Sequence, residues 1–266
     1  MTNLRREDGV ALVVAMMALM LMTALGVALI LTTSSETLIA NNYRNSSEAL
    51  YAADAVVERA MDDLLTVSDW NGLLAGSVQS AFVDGPPTGA RKLPDGSTID
   101  LAEAVNIANC GKPAPTCSAS ELTGNATGDR PWAANNPVWR LYAYGPLNNM
   151  LPAGTINSPF YIVLMAADDP SENDDNPAVD GGPPVSGAKN PGANVLALRA
   201  ESFGPRGAHK TIEVTLARTD TVELERGYTA QRGQDEQSRR ARKTSVQMPG
   251  QALTMQQLSL PSGGIY

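Results

Sequence analysis

The feature that most constrains this chain is the apolar run VALVVAMMALMLMTALGVALIL, residues 10–31. Its 22 residues carry no charge, and only Thr23 and Gly26 are not apolar. As a helix rising about 1.5 Å per residue it is roughly 33 Å long, enough to cross the hydrocarbon core of a bilayer. A secretory signal has a shorter apolar core, followed by small residues at its cleavage site. This run is longer, and no such motif follows it. Cleavage directly behind Gly9 would instead leave the whole apolar helix on the mature protein, with Val10 at its head. Arg5 and Arg6 precede the run and the next basic residue is Arg44. The positive-inside rule therefore puts the N-terminus in the cytoplasm and the rest of a single-pass chain outside.

Past Leu31 the sequence turns polar but keeps a helical period. Ile39, Tyr43, Ser46, Leu50, Ala53, Val57, Ala60 and Leu64 recur in steps of three and four, the seam of a helix that lies against a partner. One long helix over 10–65 is expected, apolar first and amphipathic second, and Asp69-Trp70-Asn71-Gly72 supplies turn chemistry to end it. Four strand candidates follow, over 138–144, 160–167, 195–203 and 209–217. The last two flank GPRGA as a hairpin would. In the last strand Ile212, Val214 and Leu216 point one way, while Glu213, Thr215 and Arg218 stay wet. An antiparallel sheet with one apolar face needs a cover, and the amphipathic half of the helix, with Leu50, Val57 and Leu64, is the available one. The expected class is α+β. Residues 84–98 read as loop, and 101–108 as a short helix or strand.

The helix start and its continuation, GVALVVAMMALMLMTALGVALILTTSS and ETLIANNYRNSSEALYAADAVVERA, resemble the N-terminal region of PilX-type minor pilins of the type IV pilus. The matching positions are Gly9, Ser34, Ser35, Ala40, Asn42, Tyr43, Arg44, Ala49, Ala52, Ala53, Asp54 and Ala55. Asn41 stands where that family usually has Gly, and Asp54 where it has Glu. LRAESFGPRGAHKTIEVTLAR also resembles the C-terminal hairpin of such proteins. The resemblance implies a pilin fold, with the sheet packed on the second half of the helix. It implies a prepilin leader over 1–9, removed behind Gly9 by a prepilin peptidase that methylates Val10. Val10, Leu12, Val14, Leu19 and Leu31 would lie in the inner membrane and then in the filament core. Ile39, Tyr43, Leu50, Val57 and Leu64 would dock on the sheet. Major pilins carry Glu where Val14 stands here, and subunits without it resemble those proposed for filament tips. The implied role is to prime or cap the pilus with other minor pilins and the major pilin, the head at the cell surface being exposed to an adhesion target. Two other readings fit the layout: a tip pseudopilin of type II secretion, and a bitopic membrane-anchored binding or sensor module without an assembly role.

The head, residues 66–218, carries Cys110 and Cys117 in CGKPAPTC. One close pair in an exported chain reads as a small disulfide loop. Between the second and third strand candidates, ADDPSENDDNPAVDGGPPVSGAKNPGAN gathers acidic residues in a Pro- and Gly-rich loop. Read plainly it is a solvated loop. The alternative is calcium, which takes six to eight oxygens from such loops. Asp168, Asp169, Asp174, Asp175 and Asp180 are then the ligand set, with Glu172 among them, although the EF-hand spacing is not met. No other cofactor is called for. Residues 219–266 are basic and poor in apolar periodicity, and read as a flexible tail. The net charge of −8 and the pI near 4.7 argue against a general nucleic-acid binder, and DNA contact would rest on the tail's Arg cluster alone. His209 is the only histidine. No P-loop, zinc-protease or dinucleotide-binding spacing occurs, so an enzyme is not expected.

Overall fold

The computed structural model describes residues 8–124, 127, 130–151, 157–185, 193–220 and 223–226. The prepilin leader reading therefore lies outside the described residues as far as residue 7, and most of the expected tail lies outside them as well. The chain divides into two compact units, residues 1–48 and 49–266. One helix, α1 (Asp8–Leu64), runs through both.

In the first unit the side chains of the apolar run are exposed. The few hydroxyls there turn back on the helix. Thr23 donates to the Met20 carbonyl at 2.8 Å, Thr32 and Thr33 both donate to the Leu29 carbonyl, and Ser35 donates to the Leu31 carbonyl. A hydroxyl satisfied by its own helix asks nothing of its surroundings, which makes it tolerable in an apolar medium. The first ion pair of the helix among the described residues is Arg44–Glu48, at 2.7 Å.

The second unit is built on an antiparallel sheet in the order β3-β4-β5-β6-β7. Its strands are β3 (Arg140–Pro146), β4 (Tyr161–Asp168), β5 (Val195–Gly204), β6 (Ala208–Asp220) and β7 (Glu223–Arg226). A small hairpin, β1 (Ala90–Lys92) with β2 (Thr98–Asp100), occupies the stretch expected to be loop. Short helices α2 (Asn71–Leu74) and α4 (Leu147–Met150) bracket longer connections. The segment left open between helix and strand is helix α3 (Leu101–Cys110), and its signals are local. The Asp100 carboxylate accepts from Ala102 N and Glu103 N as an N-cap, and Gly111 ends the helix at φ 72°, where a side chain is disfavoured.

β4 is buried along its whole length because the sheet is covered on both faces. On one face Phe160, Ile162, Leu164, Leu196, Leu198, Ala200 and Leu216 form a core with residues of α1 between Ala49 and Leu64. On the other, Tyr161, Val163, Met165 and Ala167 pack with Leu101 and Ala104 of α3 and with Leu93. A shift of register between Leu141 and Ala143 in β3 lets two consecutive residues, Tyr142 and Ala143, serve the α1 side. β7 pairs with β6 through Leu216, Ala217, Arg218 and Asp220. The sheet therefore does not stop at residue 218, and the expected tail loses its first residues to a fifth strand.

Candidate functional site

Three places on this fold bear on function: the exposed length of α1, the polar ties that hold its second half to the sheet, and the acidic connection after β4. Val10, Leu12, Val14, Leu19 and Leu31 are each more than half exposed on α1. Gly9 lies inside the helix, one residue after its first, Asp8.

The expected seam needs correction. Val57 and Leu64 are fully buried, but Ile39 is 68% exposed, Tyr43 76% and Leu50 45%. Among the described residues, every buried position of α1 lies between Ala49 and Leu64, and the set is Ala49, Ala52, Ala53, Val56, Val57, Ala60 and Leu64. At 100° per residue the centre of this set is turned by roughly 50° from the centre of the expected seam. The physical reason is volume. Ala53, Val57, Ala60 and Leu64 of the expected seam belong to the buried set, and the large side chains of the facing sheet leave room beside them for Ala49, Ala52 and Val56.

Polar contacts fix the same register. Ser202 Oγ donates to the Ala49 carbonyl at 2.7 Å, and the Tyr142 hydroxyl donates to Asp63 Oδ2 at 2.7 Å. The last turn of α1 contains no basic residue. Instead Arg218, on β6, donates to the carbonyls of Leu64 (3.1 Å), Val67 (2.5 Å) and Ser68 (3.1 Å). Its guanidinium also lies 4.2 Å from the centre of the Trp70 ring. A cation on the unsatisfied carbonyls at a helix C-terminus complements the macrodipole. Arg218, expected to stay wet, is thus a helix cap supplied from across the fold. No sequence spacing announces it.

Cys110 and Cys117 form a disulfide at the end of α3. Next to it Asn109, buried, donates to the Trp139 carbonyl at 3.0 Å and accepts from Trp139 N at 2.8 Å. Arg130 donates to the carbonyls of Asn109, Leu122 and Pro137. On the outer face of the sheet Arg199 bridges Glu201 and Glu213 at 2.6 and 2.5 Å, and His209 Nε2 lies 3.1 Å from Glu201 Oε2. Burial works against the charged form of Glu201. The hydrogen bonds from His209 and Arg199 outweigh it and hold the carboxyl below the usual carboxylate range. Arg130 and Arg199 are thus committed to contacts within the head.

The acidic connection sorts into two groups. Asp168, Glu172 and Asp174 are 5%, 2% and 6% exposed, and one carboxylate oxygen from each lies within 4.8 Å of the other two. Asp168 Oδ1 and Asp174 Oδ2 accept no hydrogen bond. A Cβ on Gly182 would collide with Asp174 Oδ2, so the backbone closes over that carboxylate. Burial, and then the charge of Glu172 with smaller contributions from Asp180 and Asp174, push the Asp168 carboxyl up to about 9. The remaining acids of the expected set are engaged elsewhere. Asp169 accepts from Ser171 N and Oγ. Asp175 exchanges hydrogen bonds with Asn135. Asp180 accepts from Asn194 N, while its own N–H donates to Asn71 Oδ1. The cluster is thus Asp168, Glu172 and Asp174. Asp169, Asp175 and Asp180 fall outside it, and Glu172 belongs to it.

No curated protein matched the chain, and no solved structure did. The family model of the PilX N-terminal region matches residues 8–58, which covers α1 from its start to within two turns of its end. Residues 8–58 are thus similar to the N-terminal region of the PilX family, and the likeness covers that segment of the chain.

Proposed function

We propose that the protein is a minor pilin that primes or caps type IV pilus assembly, in a tip complex with other minor pilins. The observation that carries this is the family match on a helix whose first half is apolar, charge-free and exposed, while its second half is built into a folded head. In this reading the leader is cut behind Gly9 by a prepilin peptidase. Val10 becomes the N-terminus, and the helix waits in the inner membrane with its head outside. Assembly moves Val10–Leu31 from lipid to the apolar helices of neighbouring subunits, at little desolvation cost because both media are apolar. Val14 fits a subunit at the end of the filament, since a carboxylate in that medium is retained only where a partner charge meets it. The head, beyond the membrane, remains available to an adhesion target.

The test is the intact mass of the protein from its native membrane or pilus fraction, beside a Gly9→Val variant. The expected wild-type mass begins at Val10 and carries one added methyl group, while the variant keeps Met1 and leaves the filament. A wild-type mass that begins at Met1, or beyond Leu31, overturns the proposal. Subunits that copurify then separate pilus from type II secretion machinery.

A further inference from the structure

The connection from β4 to β5 encloses three carboxylates, and we propose that it binds one calcium ion, held by Asp168, Glu172 and Asp174. Like charges are not brought together in a protein interior without compensation, because each buried ion costs several kcal/mol. Among the described residues no salt bridge reaches Asp168 or Asp174. Two carboxylate oxygens, Asp168 Oδ1 and Asp174 Oδ2, are buried without a donor. A divalent cation supplies what both lack.

The donor set selects the ion. All three groups offer oxygen, with no histidine or cysteine in the cluster, which favours a hard cation over zinc. Calcium binds oxygen at about 2.3–2.6 Å, so ligands on opposite sides of the ion stand about 4.6–5.2 Å apart. The three oxygens, all within 4.8 Å of one another, are close enough to share such an ion. Magnesium keeps several waters and resists dehydration, which disfavours it in a site this buried. The ion would join the end of β4, through Asp168, to loop positions 172 and 174. The same loop is tied to α2 by Asp180 N donating to Asn71 Oδ1, and to the start of β5 by Asn194 N donating to Asp180. Calcium therefore fastens the crossing between the neighbouring strands β4 and β5, whatever role the filament gives the head.

The experiment is thermal unfolding of the full-length protein in detergent, dialysed against EDTA and then titrated with calcium chloride or magnesium chloride. Saturating calcium, near a hundred times its Kd, is expected to raise Tm by about 5–10 °C, with magnesium giving a smaller shift at equal concentration. Asp168→Asn and Asp174→Asn should each abolish the calcium shift. In EDTA both should melt at or above the wild-type temperature, because they relieve repulsion, and that result shows they are folded. Asp175→Asn, whose residue pairs with Asn135, should keep the shift. The proposal is overturned if calcium leaves the wild-type Tm unchanged, or if the Asp168→Asn, Asp174→Asn double variant responds as the wild type does. It is equally overturned if both variants melt well below the wild type in EDTA.

Discussion

Replacing Leu64 with Ala tests which face of α1 carries the head. Leu64 is fully buried in the core between helix and sheet, near the C-terminal end of α1. Truncation removes three carbons, at about 0.8 kcal/mol each for transfer, and leaves a cavity that the surrounding sheet only partly fills. The sum is about 3–4 kcal/mol. Leu50 is the control, since it belongs to the same sequence stripe but is 45% exposed. Leu50→Ala forfeits about half the transfer energy and opens no closed cavity, so its cost stays near 1 kcal/mol. Ile39→Ala, in the other unit, should leave the head's stability unchanged. Trp70, Trp132 and Trp139 all lie within residues 49–266, so tryptophan fluorescence during thermal unfolding in detergent reports the head alone. At about 2–4 °C per kcal/mol for a domain of this size, Leu64→Ala should lower Tm by about 6–15 °C and Leu50→Ala by about 2–4 °C. Equal shifts from the two, or a Leu64→Ala shift below about 2 °C, would refute the alanine-centred face.

Two further outcomes follow from the polar ties. Arg218→Ala should cost about 2–3 kcal/mol, because it strips a charged donor from three carbonyls at the end of α1. It should also shift the emission of Trp70, and Arg218→Lys should recover only part of either, since a point charge cannot serve three acceptors and stack on the ring. Glu201 has a depressed folded-state pKa, with Arg199 and His209 facing it. Its contribution is therefore present above the unfolded value of about 4.3 and is lost as pH falls through the folded value. Thermal melts from pH 7 to pH 3 should show Glu201→Gln below the wild type at neutral pH, with the two curves converging at the acid end.

The elements that depend on local pattern were legible. The apolar run and the periodic stretch behind it mark α1, and the strand candidates at 138–144, 160–167, 195–203 and 209–217 fall within about three residues of the starts and ends of β3 to β6. Helix α3 was also within reach, since Asp100 with Glu103 three residues on, and Gly111 behind, are ordinary helix boundaries. Other features depend on partners far along the chain. Arg218 caps a helix that ends more than 150 residues earlier, and composition cannot reveal that. The acidic loop was visible as a composition, but which acids converge depends on how its turns fold. Asp175 is drawn off by Asn135, while Glu172 is turned inward. β7 escaped because a four-residue edge strand leaves too short a period to read.

The misread seam bears on the choice between assembly and simple anchoring. Val10–Leu31 is by itself long enough to cross a bilayer core about 30 Å thick, so an anchor has no use for large apolar side chains much beyond that point. Yet Leu38, Ile39 and Tyr43 are exposed in the first unit, and in the second Leu50 and Tyr51 are exposed while the sheet packs on Ala49, Ala52, Ala53 and Ala60. Ile39 stands about 12 Å past Leu31 along the helix axis, and Tyr51 about 30 Å past it. Covering such side chains stabilises by about 1.5–3 kcal/mol each when burial is complete, and in the proposed filament a neighbouring subunit would provide that cover. Neighbours that pack along α1 in a filament would do so over residues 10–51, about 60 Å of helix rather than the 33 Å of the apolar run. The small-residue face keeps the head attached without consuming the large-residue face. The proposed assembly role gives these side chains a partner, and a bitopic anchor by itself does not.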